Sequence, residues 1–176
     1  AIDASYDIEL VLLSILIAIF STYTAFYVSS RVTANKTPLN RYWLLSGAFV
    51  LGAGVWAMHF VGMMAYEIPV TVNYDAILTI ISIIPVVSAS YFVLKAPVNN
   101  KPTFNYYLSR SIFMGGGIGL MHYIGMHAMQ MNGIMAYDPF IFALSIFVAL
   151  ILSTISLFLK YWAKKHMLEN KIFSAR

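Results

Sequence analysis

Residues 56–65 read Trp-Ala-Met-His-Phe-Val-Gly-Met-Met-Ala, and residues 120–129 read Leu-Met-His-Tyr-Ile-Gly-Met-His-Ala-Met. Both stretches contain Met-His-aromatic-aliphatic-Gly-Met, and both lie within long apolar runs. If these runs are helical, the His and the second Met of each copy are four residues apart and share one face of the helix. A histidine buried in a membrane span costs free energy, so its presence there indicates a function and an interacting partner residue. We expect the partner of each histidine to be the other copy.

The composition indicates an integral membrane protein. The 176 residues are 60% hydrophobic and only 10% charged, whereas about a quarter of the residues in an ordinary soluble domain are charged. The chain has no cysteine, which excludes disulfides, thiolate metal sites and redox thiols. Any bound metal must therefore be held by His, Met or oxygen ligands.

Five apolar runs are long enough to cross a bilayer as helices, which takes about 20 residues. They cover approximately residues 8–28, 43–65, 76–94, 112–131 and 140–159. The sequence therefore predicts an all-α fold, a polytopic transmembrane helical bundle. Pro85 lies in the third run, where it either kinks the helix or is tolerated as an ordinary membrane-helix proline.

The charged residues are divided between the two sides of this predicted bundle. All eleven basic residues fall on one side: Arg31, Lys36, Arg41, Lys95, Lys101, Arg110, Lys160, Lys164, Lys165, Lys171 and Arg176. Six of the seven acidic residues fall on the other side: Asp3, Asp7, Glu9, Glu67, Asp75 and Asp138. By the positive-inside rule, the N-terminus lies outside and the C-terminus in the cytoplasm. The excess of basic over acidic residues is then explained by membrane topology and gives no support to nucleic-acid binding. In this topology both motifs lie toward the outer face.

A signature of Tyr-Asp followed by aliphatic-Ser-Ile occurs three times, beginning at Tyr6, Tyr74 and Tyr137 with the same internal spacing. Each signature opens a predicted helix pair, and its aspartate is explained as a helix N-cap. We predict a single domain over residues 1–176, built from repeats of about 6–73 and 74–136 and a partial repeat, 137–176. A third Met-His would fall roughly ten residues beyond Arg176, so we expect a further motif-bearing helix in the intact domain.

The two motifs predict one metal site. Its ligands are His59, Met63, His122 and Met126, two from each helix. Thioether and imidazole together suit copper, particularly Cu(I), better than they suit hard ions such as magnesium or calcium. A glycine lies between the two ligands of each copy, where a missing side chain allows close approach of the helices.

Three further residues are weaker candidates for this site. Met58 and Met121 precede the two histidines and therefore point about 100° away from them around the helix. His127 takes the place that Met64 has in the first copy, so it breaks the repeat and is equally explained as an interfacial imidazole. The aromatic residues Trp56, Phe60 and Tyr123 either wall the site or pack as ordinary membrane aromatics.

The alternative explanation is that these histidines form hydrogen bonds between helices and that the methionines are ordinary packing residues. The distribution of methionine argues against a general packing role. Nine of the ten methionines lie in the second and fourth runs or in the link just after the fourth, and the first, third and fifth runs contain none.

The motifs Met58-His59-Phe60-Val61 and Met121-His122-Tyr123-Ile124 resemble the signature of the MHYT domain, a bacterial integral membrane sensor domain. The flanking Gly-Met and the repeated helix pairs are similar as well, so the resemblance covers essentially the whole chain. Members of that family have three motifs over seven helices, whereas this chain has two motifs and five predicted helices. Val61 and Ile124 also stand where the family motif has threonine.

The resemblance implies a copper site near the outer face of the bacterial inner (plasma) membrane, which senses oxygen, carbon monoxide or nitric oxide. It also implies a cytoplasmic output domain that makes or degrades cyclic di-GMP, so that the chain itself is expected to be a sensor and not an enzyme. Three alternatives remain open: b-type haem held by the same histidines, copper transport, and a structural membrane anchor. Transport is disfavoured by the parallel repeats, because secondary transporters commonly have inverted ones.

Overall fold

The computed structural model describes residues 5–32, 39–67, 72–95, 104–131, 140, 143–148, 150–156 and 158–159. Its helices are α1 (Ile8–Val32), α2 (Leu39–Met64), α3 (Ala76–Ile81), α4 (Ile83–Leu94) and α5 (Phe104–His127). Four very short strands accompany them: β1 (Ser5–Tyr6), β2 (Tyr66–Glu67), β3 (Val72–Tyr74) and β4 (Met129–Met131). A shorter apolar helical segment, Ala143–Ser156, follows. The helical fold is confirmed. Tyr137, Asp138 and the basic tail lie outside the described residues.

Three helical spans in the described part of the chain are long and apolar enough to cross a membrane: Ile8–Val28, Arg41–Met64 and Ala76–Leu94. They coincide with the first three predicted runs. Helix α5 has 24 residues, but its first turns include Asn105, Ser109 and Arg110, which lower its apolar character. Among the described residues, three spans therefore meet both criteria, and α3 and α4 together form one of them.

Ser82 separates α3 from α4 in the third of these spans. This break is local, because Ser82 keeps helical φ and ψ angles of −60° and −17° and its amide donates to the Leu78 carbonyl at 3.0 Å. The interruption lies three residues before Pro85. Proline has no backbone N–H, so it cannot bond to the carbonyl four residues earlier, which here belongs to Ile81. The break is thus explained by local sequence.

Helix α4 packs against both α2 and α5, which contact each other much less than they contact α4. Gly52 of α2 is so close to Val87 that an added β-carbon would lie 2.6 Å from the Val87 backbone. Gly117 of α5 meets the other side of α4, where an added β-carbon would lie 2.5 Å from the Ala89 side chain. The small residues of the motif helices therefore admit α4 between them.

The buried core follows from this arrangement. It consists of Ala25, Leu44, Ala48, Leu51, Val86, Ala89, Leu94, Met114 and Met121. Helix α1 packs along α2 and leaves its other face open, as Phe20 and Tyr23 show with 66% and 71% of their surface exposed. Large exposed apolar side chains of this kind fit a protein surface that faces lipid, because they are not in contact with water there.

Two antiparallel ladders tie the beginning of each helix pair to the end of its motif helix. Strand β1 pairs with β2, and β3 pairs with β4. The Asp7 amide donates to the Ala65 carbonyl at 2.9 Å, and the Asp75 amide donates to the Ala128 carbonyl at 2.8 Å. These strands were not predicted: the fourth run was expected to continue to residue 131, but the chain leaves the helix at Ala128.

The aspartate of each signature caps the helix that follows it. The Asp7 carboxylate accepts from the amides of Glu9 and Leu10, at 2.9 and 3.2 Å. The Asp75 carboxylate accepts in the same way from Ile77 and Leu78, at 2.9 and 3.0 Å. The predicted capping role is confirmed for both.

Replacing Asp75 with alanine should lower the free energy of unfolding by about 1 kcal/mol, the usual cost of losing an N-cap acceptor. Asp75→Ser should retain most of the stability, because its hydroxyl also accepts from the first helical amides. Reversible unfolding in detergent micelles measures both variants. Equal stability of the alanine and serine variants would contradict the capping role.

Candidate metal site

The two motif histidines are in contact. Nδ1 of His122 lies 3.2 Å from Nε2 of His59, and the ring centroids are 4.7 Å apart with an interplanar angle of 70°. Both side chains are partly buried. At this distance two neutral imidazoles share one proton, since one nitrogen must donate and the other accept. The structure thus joins the two copies of the motif through their histidines, as the sequence predicted.

The same two nitrogen atoms fit a shared metal ion. Metal–imidazole bonds are about 2.0–2.1 Å long, so two imidazole nitrogens on one tetrahedral ion lie roughly 3.3–3.4 Å apart. The observed 3.2 Å is close to that separation. A metal ion would take the place of the shared proton, because imidazole binds metal in its neutral form.

Thioethers are the candidates for further ligands on the same helix faces. Within the described ranges, no group of three or more His, Asp or Glu side chains is arranged to hold a metal ion. Met63 and Met126 each lie one helical turn beyond a motif histidine, and both are partly buried. Residues at this spacing share a helix face. Two imidazoles with two thioethers form a soft donor set that suits copper.

The two motif glycines have different surroundings. A β-carbon added at Gly125 would lie 3.0 Å from Cζ of Phe60 and 3.7 Å from Nε2 of His59. No described atom lies within 4 Å of the corresponding position at Gly62. Only Gly125 therefore provides the close approach that was expected of both glycines.

Phe60 is the aromatic wall of this pair. Its ring meets the His59 ring edge-on with centroids 5.4 Å apart, and it is only 9% exposed. Trp56 lies behind it with ring centroids 4.9 Å apart, and Tyr74 contacts it at 6.1 Å. Tyr123, the corresponding residue of the second motif, is 57% exposed. Aromatic enclosure therefore comes from the first motif.

The weaker ligand candidates have separate positions. Met121 is 1% exposed and belongs to the core cluster that packs around α4. Met58 is partly buried. His127 is exposed in the last turn of α5, where a helix C-terminus favours a basic side chain. The role of these three as metal ligands stays a prediction.

Two features of the site were missed in the sequence. The indole of Trp56 donates from Nε1 to the Ser82 hydroxyl at 2.9 Å and to the Thr79 carbonyl at 3.1 Å. The contrast between Gly125 and Gly62 is also invisible in the repeat, because the two copies are identical there. Both features depend on which helix lies beside the motif, and periodicity does not specify this.

Comparison with known proteins matches two segments of the chain, residues 52–108 and 115–169, to the MHYT family, described as a bacterial signalling protein N-terminal repeat. Each segment contains one of the two motif histidines. No solved structure matches the chain.

Three curated relatives are similar over most of this chain. The bifunctional diguanylate cyclase/cyclic di-GMP phosphodiesterase MucR of Pseudomonas aeruginosa is 38% identical over 90% of the chain and 23% of its own length. The signaling protein YkoW of Bacillus subtilis is 36% identical over 98% of the chain and 22% of its own length. The cyclic di-GMP phosphodiesterase NbdA of Pseudomonas aeruginosa is 37% identical over 84% of the chain and 19% of its own length.

The chain thus spans about a fifth of the length of these relatives. The matched segments cover more than half of the sequence, and both contain the Met-His motif whose histidines meet in the structure. This chain belongs to the MHYT family of bacterial signalling proteins.

Proposed function

We propose that this chain is the membrane-embedded sensor domain of a signalling protein and that it binds copper through His59, His122, Met63 and Met126. The observation that carries the proposal is the 3.2 Å separation of two imidazole nitrogens from different motif copies. When bound, copper would supply a centre that responds to redox state or to a diatomic gas such as oxygen, carbon monoxide or nitric oxide. No other ion is favoured as strongly by the available imidazole and thioether donors.

In this proposal the chain crosses the bacterial inner membrane five times, with its N-terminus outside and its C-terminus in the cytoplasm. The distribution of charged residues supports this topology. Asp7, Glu67 and Asp75 lie in or beside the ladders, at the end of the bundle that carries the histidine pair. Lys95 lies at the opposite end of the third span. Such segregation of charge follows the positive-inside rule.

The histidine pair is well placed to change the packing of the bundle. Helices α2 and α5 pack mainly through α4, whereas His59 and His122 bridge them directly. A ligand that favours one arrangement of the two imidazoles would therefore favour one position of α2 relative to α5. Signalling requires that the two packings bind the ligand with different affinity.

The output of this domain is proposed to be cyclic di-GMP turnover in a cytoplasmic domain of the same protein. The names of MucR and NbdA state that those relatives make or degrade this nucleotide. We propose the same output here, so that the sensor domain itself carries no enzyme activity.

Bis-histidine haem is disfavoured by the geometry. The two axial imidazoles of one haem lie on opposite faces of the macrocycle. Here the nitrogens are 3.2 Å apart and the rings are 4.7 Å apart, which leaves no space for a macrocycle between them. We therefore favour copper.

Purified protein in detergent should contain stoichiometric copper without a Soret band, and His59→Ala/His122→Ala should lose the metal. His127→Ala should retain it, because that side chain is exposed at the end of α5. Elemental analysis with an absorption spectrum measures both properties. Copper that is retained in the double variant would contradict the proposed ligands.

The thioethers should contribute selectively to Cu(I) affinity. Met63→Leu and Met126→Leu keep the side-chain volume but remove sulphur, and each should weaken Cu(I) binding about 10- to 100-fold, the range typical of changes around a metal site. Met64→Leu is the matched control, because Met64 is adjacent to Met63 and 60% exposed. Competition with a Cu(I) chelator gives the affinities. Equal effects of all three substitutions would exclude a specific thioether site.

The glycine pair provides a steric test of the same site. Gly125→Ala places a methyl group against Phe60 and beside Nε2 of His59, so it should weaken copper binding. Gly62→Ala, the same change at the same motif position, enters open space among the described residues and should leave copper affinity unchanged. It should also stabilise the helix by about 0.5–1 kcal/mol. Competition with a chelator measures the copper affinity of both variants. Similar affinities of Gly125→Ala and Gly62→Ala would contradict the geometry of the site.

A further inference from the structure

The break in the third membrane span lies beside α2, and Trp56 connects the two. Its indole N–H is shared between the Ser82 hydroxyl at 2.9 Å and the Thr79 carbonyl at 3.1 Å. The Ser82 hydroxyl itself donates to the same Thr79 carbonyl at 2.6 Å. Ser82 is fully buried and is the residue that separates α3 from α4. One side chain of the motif helix is thus bonded to the break in its neighbour.

The same side chain reaches the histidine pair through one intermediate. Trp56 packs on Phe60, with ring centroids 4.9 Å apart. Phe60 meets the His59 ring and closes over Gly125 of α5. A continuous path of contacts therefore runs from the break at Ser82, through Trp56 and Phe60, to His59.

The hydrogen bonding at the break is incomplete. Thr79 Oγ1 is buried and has no hydrogen-bond partner among the described residues. An unpaired polar group in an apolar surrounding costs free energy, so hydrogen bonds do not fully stabilise this turn. Pro85 leaves the adjacent turn without a normal helical bond, which makes bending there easier than elsewhere in the span.

We infer that Trp56 is a positioning residue that couples the orientation of His59 to the angle between α3 and α4 at Ser82. A displacement of Phe60 or His59 moves the indole, and the indole moves the Ser82 hydroxyl and the Thr79 carbonyl with it. Coupling of this kind is reciprocal, so a change of bend also reorients His59. The inference concerns the protein fold and does not require that the bound ligand is copper.

The experiment measures the bend directly in metal-free protein. The chain has no cysteine, so Ile77→Cys and Phe92→Cys introduce the only two labelling sites, on exposed positions either side of Ser82. Their separation is about 22 Å along a straight helix, within the range of pulsed electron spin resonance. Each further variant is compared in this background, in lipid nanodiscs.

Gly125→Ala, which pushes on Phe60, should shift the mean distance between the labels by roughly 1–2 Å, the size of typical helix movements in switching proteins. Gly62→Ala should produce no shift, since its added methyl group meets no described atom. In a Trp56→Phe background the effect of Gly125→Ala should disappear. Trp43→Phe, the same substitution in the exposed first part of α2, should leave it intact.

A shift that persists equally without Trp56, or no shift in Gly125→Ala at all, would overturn the inference. If Trp56→Phe does not fold, Ser82→Ala should reduce the effect of Gly125→Ala, because it removes one of the two acceptors of the indole N–H and leaves only the Thr79 carbonyl. Coupling that survives Ser82→Ala unchanged would overturn it as well. Since every arm is metal-free, absence of copper would refute the proposed function and leave this result standing.

Discussion

The contact between Nδ1 of His122 and Nε2 of His59 is the interaction on which the arrangement of the motif helices depends. It joins two helices that otherwise pack mainly against α4, and it does so with partly buried polar groups. An unpaired imidazole in this position would cost free energy that only a partner can offset. The partner is supplied by the second copy of the same motif, which explains why the motif occurs twice.

The helices can meet there because of how the other contacts are distributed. Gly52 and Gly117 let α4 fit between α2 and α5. At the histidine level Gly125 leaves room for Phe60, and the ladders fix the end of each motif helix through Ala65 and Ala128. Both alanines are fully buried. The site is therefore held by backbone pairing on one side and by close helix packing on the other.

Much of this arrangement was predictable from the sequence. The apolar runs gave the helices, and the repeated Met-His gave the histidine contact, because a membrane histidine needs a partner. The Tyr-Asp signature gave the helix caps. The pairing of the short strands beside this signature was not predicted, since two or three residues are too few to show the alternation of apolar and polar side chains that indicates a strand. The different surroundings of Gly62 and Gly125 were missed because they depend on helix order, which a local pattern does not contain.

The central claim is that imidazole and thioether side chains from both motifs hold one copper ion. X-ray absorption at the copper edge tests it most directly, because the chain has ten methionines and no cysteine. Any sulphur bound to the metal must then come from methionine. We expect two imidazole nitrogens and at least one sulphur in the coordination shell, with the imidazole signal lost in His59→Ala/His122→Ala. A shell of oxygen alone, or one unchanged in the double variant, would contradict it.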